Sequence, residues 1–214
     1  MKTILCYGDS NTWGAVPMAS WDDARRYAPA ERWTGVMQAE LGAGYHVIAE
    51  GLPGRTTAIE DPVEGAHLSG LAHFRPCLES HRPLDLVVLM LGTNDFKRRL
   101  GLEAEDVAIG VRRLFEELHV LDRFGDERPP VLLICPPPIE VAGIFVTMYA
   151  GADAKSRALA PLLRSLTVDH GAHFLDAGAI IASSPVDGIH LDAAAHVALG
   201  KAAARAAAQA TAPQ

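Results

Sequence analysis

Short apolar runs alternate along the chain with longer stretches in which apolar residues recur every three or four positions. Five apolar runs predict β-strands, at residues 3–7, 45–49, 84–91, 130–135 and 172–176. The third run, DLVVLML, is apolar almost throughout, which is typical of a parallel strand covered on both faces. The pattern therefore predicts a sheet whose strands are separated by other elements.

The stretches between these runs predict helices. Apolar residues lie at helical spacing around residues 33–41, 71–78, 107–118 and 159–166, and the alanine-rich tail 192–209 begins at Asp192, a residue type that favours helix caps. Such alternation predicts an α/β fold with a parallel sheet and right-handed crossovers. Because 214 residues contain no internal repeat or low-complexity linker, we expect a single domain over residues 1–214.

Two segments fit no helix or strand. Residues 14–32 form a polar insert after the first strand, and residues 136–154 combine prolines with hydrophobic residues after the fourth. Long loops in compact domains are usually functional or disordered. Both loops leave the carboxyl ends of strands, where open α/β sheets bind ligands. We therefore expect them to form the walls of a pocket.

Composition narrows the function classes. The net charge of −7, with acids and bases interspersed, argues against a nucleic-acid partner. No apolar stretch approaches the ~20 residues that span a bilayer, and the first apolar run is too short for a signal peptide. The three cysteines are widely spaced without a CxxC pair. These observations predict a cytoplasmic protein that does not bind membranes.

Three loops that follow predicted strands carry candidate chemistry. GDSN (8–11) would expose the hydroxyl of Ser10, although Asp, Ser and Asn equally favour an ordinary turn or helix cap. GTND (92–95) follows the third strand, and the Asn94 amide could donate to a developing oxyanion. EGLPGRTT (50–57) follows the second strand, and Gly54 would allow a backbone N–H to approach a ligand. Together the three loops predict a site at one sheet edge.

DGIH (187–190) precedes the last predicted helix. An Asp187 carboxylate that holds one imidazole nitrogen of His190 would leave the other free to take a proton from a hydroxyl. For an isolated pair, however, an aspartate that caps the helix beside an exposed histidine is the commoner arrangement. The catalytic interpretation of this pair is favoured only if a candidate nucleophile such as Ser10 lies beside it.

Other chemistries find little support. His170 and His173 have no cysteine or acid at ligand spacing, and His67, His73 and His81 flank a predicted helix, where we expect them to face solvent. The chain contains neither phosphate-binding glycine motif, GxGxxG or GxxxxGK[ST], and no GxSxG nucleophile elbow. We therefore expect no metal and no cofactor in the site.

Taken in order, GDS, Gly54, GTND and DGIH resemble the consensus blocks of the SGNH (GDSL-type) hydrolase family. The resemblance spans nearly the whole chain. It implies a three-layer, flavodoxin-like fold with a five-stranded parallel sheet in the order 2-1-3-4-5. It also implies that Ser10 is the nucleophile, His190 the general base and Asp187 the acid that orients it. The oxyanion would be bound by the backbone N–H groups of Ser10 and Gly54 and by the side chain of Asn94.

ILCYGDSNTWG, RWTGVMQAELG, EGLPGRTTAIEDP and PLDLVVLMLGTND further resemble the bacterial arylesterase and acyltransferase/perhydrolase branch of that family. This resemblance implies hydrolysis of small acyl esters of aryl or alkyl alcohols and acyl transfer to alcohols or peroxide. It also implies a homo-oligomer, either a tetramer or an octamer. Asn11 departs from the aliphatic residue of a well-known acyltransferase member. Residues beside the catalytic ones are candidates to bind substrate: Asn11, Trp13, Thr93, Lys97 and Ile189.

Several alternatives remain open at this point. Trp13 could serve packing, Lys97 could be a solvated charge and Ile189 a turn hydrophobe, while Phe145, Met148 and Tyr149 could form a lid or a subunit contact. A non-catalytic binding module on the same fold would use GDSN only as a turn. A carbohydrate-ester deacetylase would use the same residues on another substrate, since one fold carries varied functions.

Overall fold

The computed structural model describes residues 1–125 and 127–212. Within these residues, five strands form one parallel sheet in the order β2-β1-β3-β4-β5. Their bounds are β1 Lys2–Gly8, β2 Tyr45–Gly51, β3 Leu86–Met90, β4 Val131–Cys135 and β5 His173–Asp176. The order confirms the expected flavodoxin-like sheet.

In the described part of the chain, seven α-helices accompany the strands. They are α1 Ser10–Trp13, α2 Trp33–Leu41, α3 Gly70–His81, α4 Ala104–Glu117, α5 Ala152–Arg157, α6 Leu159–His170 and α7 Ala193–Ala210. The periodicity predicted α2, α3, α4, α6 and α7, whereas α1 and α5 are too short to show a period. Asp192 caps α7 as predicted, because its Oδ1 accepts a hydrogen bond from the N–H of Ala195 at 2.8 Å.

Helices cover both faces of the sheet and bury two apolar clusters. Side chains alternate along a strand, so Leu5 of β1 joins the cluster under α3, α4 and α6, while Ile4 joins the cluster under α2 and α7. Strands β3 and β4 are buried along their whole length. The result is the three-layer α/β/α arrangement that the family resemblance implied, and β3 is covered on both faces as its apolar sequence predicted.

The register of the sheet decides where the loops meet. Gly8, the last residue of β1, pairs with Gly51 of β2 on one side and with Met90 of β3 on the other. The three loops with candidate chemistry therefore leave the sheet side by side, at the point where the strand order reverses. Within residues 1–125 and 127–212, none of the helices combines the length and apolar character needed to cross a lipid bilayer.

Candidate active site

A cavity of about 310 Å³ opens at the carboxyl ends of β1 and β3. Seven of the ten residues predicted to be catalytic, oxyanion-binding or substrate-binding line it: Ser10, Trp13, Gly54, Asn94, Lys97, Ile189 and His190. Both long loops form its walls, because Met18 and Trp21 come from residues 14–32, and Phe145 and Met148 from residues 136–154. Residues of the three loops expected at one edge of the sheet and of the DGIH segment thus surround one cavity.

Ser10 lies at the bend between β1 and α1. Oδ1 of Asp9 accepts a hydrogen bond from the N–H of Asn11 at 2.9 Å, so the aspartate caps the short helix. Burial raises the pKa of Asp9 to about 6, with the Asn11 N–H acting in the opposite direction. Among the described residues, no hydrogen bond uses the backbone N–H of Ser10. Both its hydroxyl and its N–H are therefore available to a ligand.

Gly54 occupies a tight turn beside Ser10. The N–H of Arg55 donates to the carbonyl of Leu52 at 3.1 Å, which closes a turn over residues 52–55. Pro53 stands at its second position, and Gly54, with φ +82°, at its third. A type II turn requires this left-handed conformation, which favours glycine. Within the described part of the chain the Gly54 N–H has no hydrogen-bond acceptor, so it can serve as a donor at the cavity wall.

Two neighbours fix the orientation of the Asn94 side chain. Its Nδ2 donates to the carbonyl of Arg55 at 3.1 Å, and its Oδ1 accepts from the hydroxyl of Tyr149 at 3.0 Å. A backbone carbonyl can only accept, so the NH₂ group must lie on the Arg55 side. Burial raises the pKa of Tyr149 well above its usual range, which keeps the hydroxyl protonated. The second amide hydrogen of Asn94 remains available for an oxyanion.

The aspartate after Asn94 joins two loops. Both carboxylate oxygens of Asp95 accept from the N–H of Thr57 at 3.0 Å, so the loop after β3 is bound to the segment after β2. Burial raises the pKa of Asp95 to about 6, although the hydrogen bonds from Thr57 act to lower it. This contact holds Gly54 and Asn94 in a common frame.

Asp187 and His190 form a buried pair. Nδ1 of His190 lies 2.7 Å from Oδ2 of Asp187, which also accepts from the N–H of Met18 at 2.7 Å. Burial acts to raise the pKa of Asp187, but the hydrogen bond and charge of His190 and the backbone N–H groups outweigh it and hold the pKa below its ordinary value. An ionised carboxylate only accepts, so the neutral imidazole carries its hydrogen on Nδ1 and leaves Nε2 free to take a proton.

Gly188 is required by the loop that packs against this pair. Its φ is +81°, and a Cβ at this position would lie 1.5 Å from the carbonyl oxygen of Glu140. The Gly188 carbonyl in turn accepts from the N–H of Glu140 at 2.9 Å. The glycine of DGIH therefore lets the loop after β4 approach the segment that carries His190.

Two residues predicted to bind substrate, Asn11 and Thr93, do not line the cavity. Asn11 is buried, and its Nδ2 donates to the carbonyl of Ile189 at 3.0 Å while its Oδ1 accepts from the N–H of Leu191 at 3.0 Å. Asn11 thus holds the backbone on both sides of His190. This role was not predicted, because only the fold brings residues 11 and 190 together.

Lys97 lines the cavity but is not a solvated charge. Its Nζ lies 3.0 Å from Oδ2 of Asp61 and 2.8 Å from Oε2 of Glu64, and its side chain is buried. Arg99 pairs with the same two carboxylates. Burial acts to raise the pKa of Asp61, yet the hydrogen bonds from Arg99, two backbone N–H groups and Lys97 hold it well below its usual range. The cavity wall here is a network of compensated charges.

Aromatic side chains close the outer part of the cavity. Trp21 packs edge-on against Phe145 with ring centroids 5.2 Å apart, and Phe145 contacts the His190 ring edge-on at 5.9 Å. Trp21 nevertheless stays 61% exposed. Of the described residues that line this cavity, no three form a metal-ligating group.

Comparison with known proteins gives one family. The model of the GDSL-like lipase/acylhydrolase family matches residues 6–198. None of the curated proteins matches the chain. Among solved structures, the native aryl esterase of M. smegmatis is 39% identical, with a TM-score of 0.91 over 96% of this chain and 97% of that one.

Two further solved structures are similar to this chain, one closely and one only in fold. A carbohydrate acetylesterase from Sinorhizobium meliloti is 38% identical, with a TM-score of 0.93 over 98% of this chain and 99% of that one. A lipase/acylhydrolase from Enterococcus faecalis is 19% identical, with a TM-score of 0.66 over 96% of this chain and 94% of that one, and shares the fold.

Proposed function

The chain belongs to the GDSL-like lipase/acylhydrolase family and is a carboxylic ester hydrolase, and on this premise we propose that it hydrolyses small acyl esters of aryl or alkyl alcohols through an acyl-enzyme on Ser10. The observation that carries the proposal is the meeting of three groups at one cavity. These are the Ser10 hydroxyl, the imidazole of His190 held by Asp187, and unpaired N–H donors around them.

Each group has one task in this mechanism. Oγ of Ser10 attacks the ester carbonyl carbon while Nε2 of His190 takes the hydroxyl proton. The oxyanion forms within reach of the N–H groups of Ser10 and Gly54 and of Nδ2 of Asn94. His190 then returns the proton to the leaving alcohol, which leaves the acyl group on Ser10. A water molecule, deprotonated by His190, attacks the acyl-enzyme and releases the acid.

The size and lining of the cavity support a small acyl group. Its volume is about 310 Å³, at the low end for ligand sites. Trp13, Met18, Phe145 and Met148 contribute apolar surface to its walls, which suits an acetyl-type chain and an aryl or alkyl alcohol. Of the residues predicted to bind substrate, Trp13 and Ile189 keep that role in this proposal, whereas Lys97 stabilises the wall.

The likeness to the Sinorhizobium meliloti protein supports a second candidate, an esterase that removes acetyl groups from carbohydrates. The two candidates differ in the alcohol, because a sugar presents hydroxyl groups where an aryl alcohol presents an apolar ring. Comparing kcat/KM for p-nitrophenyl acetate and acetylated xylose on the same preparation separates them. We expect the aryl ester to be preferred, and a clear preference for acetylated xylose would favour the second candidate.

Four finer features belong to the same proposal. Residues 1–214 form a single catalytic domain, it acts in the cytoplasm, and it assembles into a homo-oligomer of four or eight chains. Acyl transfer to alcohols accompanies hydrolysis.

Trp21 supports the assembly, because a largely exposed tryptophan at the mouth of the cavity suits a subunit contact. The three cysteines, all free and buried, support a reducing compartment.

A fluorophosphonate probe tests the central claim, because it labels only an activated serine. We expect labelling of Ser10 in the wild type, no labelling in Ser10→Ala and strongly reduced labelling in His190→Ala. In p-nitrophenyl acetate hydrolysis, Ser10→Ala should lose nearly all turnover while the fold is kept. Hydrolysis by Ser10→Ala at the wild-type rate would favour the binding-module alternative, with GDSN only a turn.

A further inference from the structure

A second cavity lies behind the turn that carries Gly54. Residues of β2, α3 and this turn line it together with Tyr7 of β1 and His67, and it shares no lining residue with the catalytic cavity. Within the turn, Leu52 and Arg55 face the second cavity, whereas Pro53 and Gly54 face the catalytic one. A ligand in the second cavity would therefore contact the back of the oxyanion-binding turn.

Three different metal-ligating side chains meet in this second cavity. Cys77 and His81 lie one turn apart on α3, and Glu50 reaches them from β2. The thiol sulfur, an imidazole nitrogen and a carboxylate oxygen all lie within 4.8 Å of one another. Nε2 of His81 and Oε1 of Glu50 are 3.0 Å apart. With ordinary zinc bond lengths, a nitrogen and an oxygen ligand of a tetrahedral site lie about 3.3 Å apart, so little movement is needed.

We propose that Glu50, Cys77 and His81 form a binding site for a divalent transition-metal ion of the zinc class. A thiolate, an imidazole and a carboxylate are the three ligand types that zinc takes from proteins. Two ligands four residues apart on one helix share a face, as in other helix-borne zinc sites. His73, a further turn before Cys77, lines the same cavity, but it is not among the side chains whose ligand atoms lie within 4.8 Å of one another. A water molecule would therefore complete the coordination.

The charges around the site can support a dication. The Arg55 guanidinium lines the cavity and lies 4.1 Å from the centre of the Tyr7 ring. Its positive charge opposes the binding of a metal ion. The thiolate of Cys77 and the carboxylate of Glu50 supply two negative charges against it. Loss of the thiol proton to solvent, with formation of the sulfur–metal bond, balances the binding reaction.

Metal binding would have a structural consequence. It would join α3 to the end of β2 next to Arg55, whose carbonyl accepts from Asn94 and whose guanidinium donates to the carbonyls of Gly8 and Glu50. The ion would thus stabilise the folded protein, by an amount that grows with the free metal concentration. It takes no part in the acyl-transfer steps.

Cobalt titration of the metal-free, full-length protein tests the proposal, because a thiolate ligand gives Co²⁺ a strong near-ultraviolet charge-transfer band. We expect this band in the wild type and its loss in Cys77→Ser. Competition with a chromogenic zinc chelator should show at least about tenfold weaker Zn²⁺ binding in His81→Gln and in Glu50→Gln. Cys135→Ser and His119→Gln, which alter the same residue types elsewhere, should bind as the wild type does.

Thiol alkylation gives an independent measurement. Zn²⁺ should slow the reaction of Cys77 with iodoacetamide, followed by peptide mass spectrometry, in the wild type and in Cys135→Ser. Absence of the cobalt band, its persistence in Cys77→Ser, or unchanged zinc affinity in His81→Gln would overturn the proposal. If Cys77→Ser does not fold, His81→Gln decides, because its side chain is only partly buried. None of these readouts depends on esterase activity, so they stand apart from the proposed function.

Discussion

The catalytic cavity has an early half, which carries Ser10 and Asn94, and a late half, which carries Asp187 and His190. The two halves are held in place in different ways. Ser10 and Asn94 follow β1 and β3 within a few residues, so the central strands of the sheet position them directly. His190 lies in a long connection between β5, which ends at Asp176, and α7, which begins at Ala193. Among the described strands, none ends within a few residues of His190.

Hydrogen bonds from other loops, and one within the connection itself, position Asp187 and His190 instead. Asn11 binds the backbone of residues 189 and 191, Met18 donates to Asp187, and the N–H of Ser184 donates to the carbonyl of His190 at 2.8 Å. The nucleophile therefore depends on the sheet, whose disruption would unfold the chain. The base depends on a few loop contacts, which single substitutions can remove while the fold remains.

Of the substitutions that compare the two halves, Asp187→Asn should have the largest effect. An amide that donates to His190 Nδ1 favours the wrong tautomer and so removes the base. The N–H of Met18 loses its acceptor, while the remaining oxygen keeps the hydrogen bonds from the N–H groups of Ile189 and His190. We expect kcat/KM for p-nitrophenyl acetate to fall by about 10⁴-fold, with the free energy of unfolding in urea changed far less. A loss of activity that merely follows a loss of folded protein would contradict the distinction between the two halves.

Asn94→Ala tests the half that is built on the sheet. Removal of one oxyanion donor should lower kcat by about 10²–10³-fold with little change in KM. Tyr149→Phe is the matched comparison, because it keeps the Asn94 amide and removes only the hydroxyl that orients it. Steady-state kinetics should place Tyr149→Phe well above Asn94→Ala, and equal losses would show that the amide needs this hydroxyl to act.

Asn11→Leu tests the contact between the two halves. The substitution leaves the Ile189 carbonyl and the Leu191 N–H without their partner, at a cost of about 1–3 kcal/mol each. We expect a 10–100-fold loss of kcat, a slower fluorophosphonate reaction at Ser10 and little change in KM. An unchanged labelling rate in a destabilised protein would mean that Asn11 serves stability alone and does not position His190.

We expect the smallest effect on catalysis from a substitution of His196 in α7. Its imidazole accepts a hydrogen bond from the N–H of Trp33 at 3.1 Å. Burial lowers the pKa of His196 from 6.5 to about 4. The unfolded chain therefore binds the proton first, and this group makes the free energy of unfolding fall as the pH drops from 6.5 to 4. His196→Asn, which keeps an acceptor but does not titrate there, should flatten that decline.

Urea unfolding at several pH values measures this difference. Asp9 and Asp95, whose pKa values are raised from 3.8 to about 6, act with the opposite sign over nearly the same window. Both are present in wild type and variant, so their contribution cancels in the comparison. Parallel pH dependences of the two proteins would show that His196 does not titrate in this range.

Much of this fold was predictable because its signals are local. Apolar runs and helical spacing need only neighbouring residues, and they located all five strands and the five longer helices. Ser10, Gly54 and Asn94 were predictable as a group, since parallel strands bring their carboxyl ends to one edge. The helix α1 escaped prediction because four residues carry no period.

The contacts that individual side chains make were harder to predict from the sequence. Lys97 is paired inside the wall with Asp61 and Glu64, which come from a loop more than thirty residues earlier. His81, expected to face solvent, lies against Glu50. Tyr149, expected in a lid or subunit contact, orients Asn94. A residue's spacing to its own neighbours contains no information about such partners.

The sequence by itself determined the order of elements, the layers and the set of residues that reach the sheet edge, because burial and backbone geometry act along short stretches of chain. Only the tertiary structure decided which polar atoms meet. It joined Asn11 to the segment around His190, and it brought Glu50 to Cys77 and His81. Hydrogen bonds and ligand sets depend on a few tenths of an ångström between distant residues, and packing of the whole chain sets those distances.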